Sequence, residues 1–276
     1  MKNMYRISFC GSGNVAYRLS MAIKAAGFPV PYICGRNSES SEKLVHILNK
    51  TDNNPHHITE STKYTNEIKM LADSDIVIMA VSDDAIEVLA DNFVKAFTGI
   101  VKKPILLHTS GASSLNLLSG NDSYGVIYPL MTLSKIKPVD FRQIPFFIEF
   151  SDDDVKNILT EIIFSLGAEY RITDSQERLK IHLAAVYVSN FVNYLTGLAF
   201  DIAKPNHMFL MPLAIETVRK AFLYEHPSIV QTGPAKRGDK KTIEKHLSLL
   251  STMNEHKEMY EVISKLIAGQ KTKKNI

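Results

Sequence analysis

The hexapeptide GSGNVA, residues 11–16, sets two glycines and a small third residue at a spacing suited to phosphate chemistry. In the pattern G-x-G-x-x-[GA], Gly11 permits a tight turn and Gly13 lets a pyrophosphate approach the backbone. Ala16 lets the next helix pack close to a sheet, and that helix's N-terminus faces the phosphates. Ser12, Asn14 and Val15 complete the loop. The context also fits: the apolar run YRISFC precedes it, and Val15, Leu19, Ala22 and Ala26 recur after it at helical spacing. A second apolar run ends in YICGRNSES, where Arg36, Asn37 and Ser38 come before any carboxylate. NAD sites usually place Asp or Glu there for the ribose 2′-hydroxyl, whereas a guanidinium pairs bidentately with a 2′-phosphate. The expected cofactor is therefore NADP.

Proton chemistry points to a different segment. In IHLAAVYVSNFVNYLT the polar residues His182, Ser189, Asn193 and Thr196 fall 7, 4 and 3 residues apart. At 100° per residue they span an arc of roughly 60° on one helical face, with Asn190 at its shoulder. A polar stripe on an apolar helix implies a wet cleft or a hydrogen-bonded interior network. His182 is the leading candidate to take and return a proton, Asn190 could orient a carbonyl or a water, and Ser189 and Asn193 could meet substrate. His108 is a second acid/base candidate. Lys180 lies on the opposite face and reads as an exposed charge. Metal chemistry is not expected, because Cys10 and Cys34 lie in separate strand-like runs and His56-His57 is an adjacent pair without ligand spacing.

These residues need a scaffold, and the first part of the chain alternates strand and helix signals. Strands are expected at YRISFC, VPYIC, DIVIMAV, PILLHTS, YGVIYPL, IPFFIEF and AEYRIT, with a short further one within 51–65. Helices are expected over Asn14–Ala26, ESSEKLVHILNK and DVKNILTEIIFSLG. The continuous apolar runs suit central parallel strands, and the alternation predicts a doubly wound α/β sheet. At DSQE, a capping box with Asp174 and Glu177, the pattern becomes purely helical. One helix of roughly 30 residues should run to Pro205, followed by helices at 211–224, 242–251 and 255–267 and a frayed tail. The expected domains are a dinucleotide-binding domain over 1–173 and an all-α substrate and dimerisation domain over 174–276.

Composition bounds the function. A net charge of +3 is too small to indicate nucleic acid. Two cysteines in apolar runs read as buried free thiols in a reducing, cytoplasmic compartment. Leu183–Phe200 has no charged residue over 18 positions, long enough to span a membrane, but its Ser, Thr and Asn groups favour a helix buried inside the protein. No membrane partner is expected. The polar loop QTGPAKRGD, residues 231–239, offers Gln231 and Thr232 as neutral hydrogen-bonding groups and Arg237 as a cation for an anionic substrate or phosphate.

GSGNVA, CGRN, AVSDDAI, LLHTSGA, YPLMTLS, IHLAAVYVSN and QTGPAKRGD occur in an order that resembles a family of proposed NADP-dependent oxidoreductases. Its members join a Rossmann-like domain to a helical C-terminal domain of unknown function. They are related to pyrroline-5-carboxylate reductases and β-hydroxyacid dehydrogenases, with a helical part like that of 6-phosphogluconate dehydrogenase. The resemblance covers nearly the whole chain. It implies that Gly11–Val15 form the pyrophosphate loop, that Arg36 and Ser38 meet the 2′-phosphate, and that Val81, Ser82 and Asp83 lie along a cofactor ribose. It places His108, Thr109 and Ser110 beside the nicotinamide and implies a homodimer through the helical domain. Where the family often has His-Pro-Leu, this chain has Tyr128-Pro129-Leu130. The function so implied is hydride transfer between NADP(H) and a small carbonyl, imine or hydroxy compound; the alternative is a non-catalytic NADP(H) sensor.

Overall fold

The computed structural model describes residues 5–50, 60–224 and 226–269. The pair His56-His57 and the tail beyond Gly269 lie outside the described residues. Two compact units are present, Met1–Ser189 and Asn190–Ile276.

The first unit is built on an eight-stranded sheet in the order β3-β2-β1-β4-β5-β6-β7-β8. The strands are β1 (Ile7–Cys10), β2 (Tyr32–Cys34), β3 (Lys63–Thr65), β4 (Ile76–Met79), β5 (Ile105–His108), β6 (Tyr124–Pro129), β7 (Phe146–Phe150) and β8 (Tyr170–Ile172). All neighbours pair in parallel except β6 and β7. The helices α1 (Asn14–Ala25), α2 (Ser38–Lys50), α3 (Asp83–Ala96), α4 (Asp153–Ser165) and α5 (Ser175–Val186) complete the unit.

Both sheet faces are covered, as the uninterrupted apolar strands require. Ile7 and Phe9 of β1 and Ile76 and Ile78 of β4 pack with Leu19 and Ile23 of α1, Leu44 and Leu48 of α2, and Leu159 and Ile162 of α4. The alternate residues Val77 and Met79 pack on the other side with Ile86, Ala90 and Phe93 of α3. The strand order turns back between β1 and β4, the place where ligands collect at the carboxyl ends of strands in such sheets. Cys10 and Cys34 are free, buried and paired in register across β1 and β2.

The expected helix from Asp174 to Lys204 takes a different form. Asp174 caps α5, accepting from the Glu177 backbone N–H at 2.7 Å. The run then widens into a π-turn at Tyr187–Phe191 before α6 (Val192–Ala203) resumes. A π-turn holds more residues per turn than an α-helix, so the 100° spacing that aligned His182 with Asn193 and Thr196 does not carry across it. The expected burial of this segment is also corrected. Ser175–Ala203 is long and apolar enough to cross a membrane by length and composition, and none of its most apolar window is buried in the single chain.

The second unit continues with α7 (Met211–Leu223), the short turns α8 (Pro227–Val230) and α9 (Pro234–Arg237), α10 (Lys240–Leu249) and α11 (Asn254–Ala268). Among its described apolar residues only Ala235 and Leu250 are buried. Phe209, Leu213, Phe222 and Leu266 are each at least 66% exposed, so this unit does not cover its own apolar surface.

Candidate functional site

The loop after β1 has the geometry the glycine pattern demands. Gly11 adopts φ +106°, and a Cβ there would lie 2.3 Å from the Ala80 carbonyl oxygen at the end of β4. Only glycine allows the β1 and β4 ends to approach so closely. Gly13 differs: its φ of −72° suits any residue, and a Cβ would meet no protein atom within 4 Å. The fold therefore does not require glycine at position 13. Open space above a backbone at the N-terminus of α1 is what a pyrophosphate needs, so these residues fit a dinucleotide. Ala16 is fully buried against the sheet.

At the end of β2, Arg36 and Ser38 are exposed, while Asn37 uses its side-chain oxygen to accept from the Ser40 N–H at 2.9 Å and so caps α2. Val81 is half-buried, and Ser82 and Asp83 open α3 at the end of β4. Thr109 and Ser110 follow β5 and are buried, and Ser110 Oγ accepts from the Ala112 and Ser113 N–H groups at 3.0 and 2.9 Å, which shapes the turn.

Against that turn packs a dyad that the sequence did not reveal. Tyr128 on β6 and His182 on α5 make a 3.1 Å hydrogen bond between the phenol oxygen and Nδ1, with their rings edge-on at 5.9 Å. Burial, aided by the negative charge of Asp83, raises the Tyr128 pKa, so the phenol stays protonated at neutral pH. A protonated phenol can donate to Nδ1 or accept from Nδ1–H, according to the imidazole tautomer. Gly111 lies directly beneath: a Cβ there would fall 2.6 Å from His182 Nδ1 and 2.7 Å from Tyr128 Cζ. Gly111→Ala should therefore push the rings apart at a cost of about 1–3 kcal/mol. Its chemical-denaturation midpoint should fall, and an unchanged midpoint would contradict this packing.

A buried ion pair fixes the base of the same helix. Arg178, one helical turn before His182, is fully buried; it pairs with Glu149 on β7 and donates to the Ser113 carbonyl. Ser175 Oγ donates to Glu149 at 2.8 Å and accepts from the Leu115 N–H at 3.0 Å. Residues from β7, the β5 turn and the start of α5 are thus tied together, which sets where His182 stands over β6.

His108 is fully buried at the end of β5, and its Nδ1 accepts from the Ser110 N–H at 3.1 Å. Burial lowers its pKa to about 3, the Arg178 charge adds to the shift, and a weak pull from the Ser114 backbone opposes it. An imidazole that protonates more readily unfolded than folded makes stability depend on pH. The unfolded state binds a proton below about pH 6.5 and the folded state does not until about pH 3, so stability is full above that window and falls as pH drops through it. The total is up to roughly 5 kcal/mol. Unfolding titrations at several pH values should show this acid limb flattened by about one proton in His108→Gln; equal slopes would count against it.

The remaining sequence candidates lie at the end of the first unit or in the second. Ser189 Oγ donates to the Ala185 carbonyl at 2.6 Å and Thr196 to Val192 at 2.7 Å, so both hydroxyls are engaged by their own helix. Asn190 and Asn193 are exposed. In the loop, Gln231 donates to the Thr232 carbonyl at 2.9 Å, Thr232 is exposed, and Arg237 pairs with Asp239 at 2.7 Å. Among the described residues, no three His, Cys, Asp or Glu side chains are grouped to hold a metal.

Comparison with known proteins matches this architecture. The profile of a domain of unknown function (DUF2520) matches residues 144–267. A "putative NADP oxidoreductase" from Bacteroides fragilis is 31% identical, with a TM-score of 0.82 over 96% of this chain and 98% of that one. A protein of Thermotoga maritima is 20% identical, with a TM-score of 0.62 over 95% and 98%. The pyrroline carboxylate reductase of Plasmodium falciparum, solved with NADP bound, shares the fold at 13% identity and a TM-score of 0.53 over 96% and 100%. A search of curated proteins finds no match. The chain belongs to the family of the Bacteroides fragilis protein, with a mostly parallel α/β sheet followed by an all-helical C-terminal region.

Proposed function

We propose that the protein is an NADP-dependent oxidoreductase that transfers a hydride between NADP(H) and a small carbonyl, imine or hydroxy compound. One observation carries this reading: a glycine-lined phosphate cradle after β1 and a Tyr128–His182 pair at the end of β6 stand at the same, carboxyl edge of the parallel run β1-β4-β5-β6. The cofactor supplies or accepts the hydride. Gly11–Val15 hold its pyrophosphate, with Arg36 and Ser38 at the 2′-phosphate and Val81–Asp83 along a ribose. His182 exchanges the proton at Nε2, while the Tyr128 hydroxyl bonds Nδ1 and so orients the ring. His108, held neutral and buried, positions the Ser110 turn rather than moving protons. Asn190, Asn193, Gln231, Thr232 and Arg237 are assigned to substrate recognition by the helical region. The exposed apolar faces of α6 and α7 are covered in a homodimer, which sedimentation would report as twice the chain mass.

NADP(H) consumption measured against small ketones, aldehydes, imines and hydroxy acids tests the catalytic part. At least one class should turn over, and faster with NADPH than with NADH. Tight NADPH binding with no turnover on any class would instead favour a cofactor sensor.

A further inference from the structure

Lys135 sits well away in sequence from the loop that ends β2, yet the fold brings it there. Its Nζ donates to Ser40 Oγ at 3.2 Å, on the first turn of α2, and Ser40 Oγ lies 3.4 Å from the Ser12 carbonyl of the glycine loop. The ammonium also lies 5.9 Å from the centre of the Tyr17 ring on α1. The backbone that carries Lys135 is pinned from below. Arg18 of α1, only 9% exposed, donates from its guanidinium to the Ser134 and Lys135 carbonyls at 2.6 and 2.8 Å. A buried arginine spent on two consecutive carbonyls fixes that turn over the seam between the glycine loop and α2.

The charge balance at this seam is one-sided. Glu39, the acid in the first turn of α2, is already paired with Lys43 at 2.6 Å. Neither Lys135 nor Arg36 has a carboxylate partner among the described residues. Two unneutralised cations beside the serine hydroxyls of a helix N-terminus form a site for a dianion.

We infer that Lys135 is a specificity residue for the cofactor: with Arg36 and Ser40 it clamps the 2′-phosphate of NADP(H), and Arg18 is the positioning residue that holds it there. This rests on the reading that Gly11–Val15 bind a dinucleotide with its adenosine ribose toward Arg36. A lysine acts here as a point charge, adding affinity for the phosphate without touching the nicotinamide end.

The test is a binding titration of the full chain with NADPH, NADH and adenosine 2′,5′-bisphosphate, for the wild type, Lys135→Gln and Arg36→Ala. Lys135 is exposed, so the substitution should leave the unfolding midpoint unchanged. Lys135→Gln is expected to weaken NADPH and the bisphosphate about 10-fold and NADH less than about 2-fold. If the wild type prefers NADPH and Arg36→Ala reduces that preference while Lys135→Gln keeps it in full, the assignment of Lys135 is overturned and the cofactor reading stands. A wild type with no preference for NADPH, unaltered by Arg36→Ala, overturns both.

Discussion

Replacing Arg178 with methionine should destabilise the first unit by about 3–5 kcal/mol, because it leaves Glu149 half-enclosed without its cation. Arg178 is fully buried and the Glu149 side chain is 16% exposed, so water replaces little of the lost interaction. The double variant Arg178→Met/Glu149→Met should recover much of that loss, since two apolar side chains carry no uncompensated charge. Denaturant unfolding of the three proteins would show it. A double variant as unstable as Arg178→Met would mean that the hydrogen bonds to Ser113 and Ser175, rather than the charge pair, hold the turn. Because α5 starts from this anchor, the recovered double variant should still displace His182 and lose activity out of proportion to stability.

The second large effect concerns the dyad. If the proposed hydride transfer holds, His182→Ala should lower kcat by about 100- to 10,000-fold on any compound the protein turns over, the range of a lost general acid or base. Tyr128→Phe should cost less, because it removes the hydrogen bond that orients the imidazole and leaves the proton-carrying ring in place. NADPH affinity should stay unchanged in both variants, since neither side chain belongs to the phosphate loop. A turnover number unaltered by His182→Ala removes His182 from the mechanism; a parallel loss of NADPH affinity would show that its role is structural.

Much of the first unit was legible because its signals are local. An apolar run before Gly11, a cap at Asp174 and the continuous strands β4 and β5 each specify their own structure. The three-residue strand β3 was placed only within a polar stretch, because its side chains are not buried and show no alternation. The helix α3 went unread behind AVSDDAI, although Ile86, Ala90 and Phe93 mark its buried face. Two omissions at the site have one cause, since each needs contacts between distant segments. Tyr128 looked like a missing histidine until the fold brought His182 to its hydroxyl. Arg178 drew no reading at all, because its partner Glu149 arrives from β7. The polar stripe assumed uniform helical spacing, and the π-turn at Tyr187–Phe191 breaks it. The exposure of Leu183 to Phe200 was illegible for another reason: an apolar helix reads alike whether its cover comes from its own chain or from a second copy.

NADP(H) binding by the loop at Gly11–Val15 is what the proposed function needs first, and Gly13 separates that binding from the fold. Nothing in the protein lies within 4 Å of a Cβ at this position and its backbone is unstrained, so Gly13→Val should cost no more than about 1 kcal/mol through the cap of α1. The same side chain would occupy the space of the pyrophosphate. Calorimetric titration of NADPH into the wild type and Gly13→Val measures this directly. One NADPH should bind per wild-type chain, and the variant should bind it at least 100-fold more weakly, about 2.7 kcal/mol, at nearly unchanged stability. Equal NADPH affinity in the two proteins, or none in either, would contradict it.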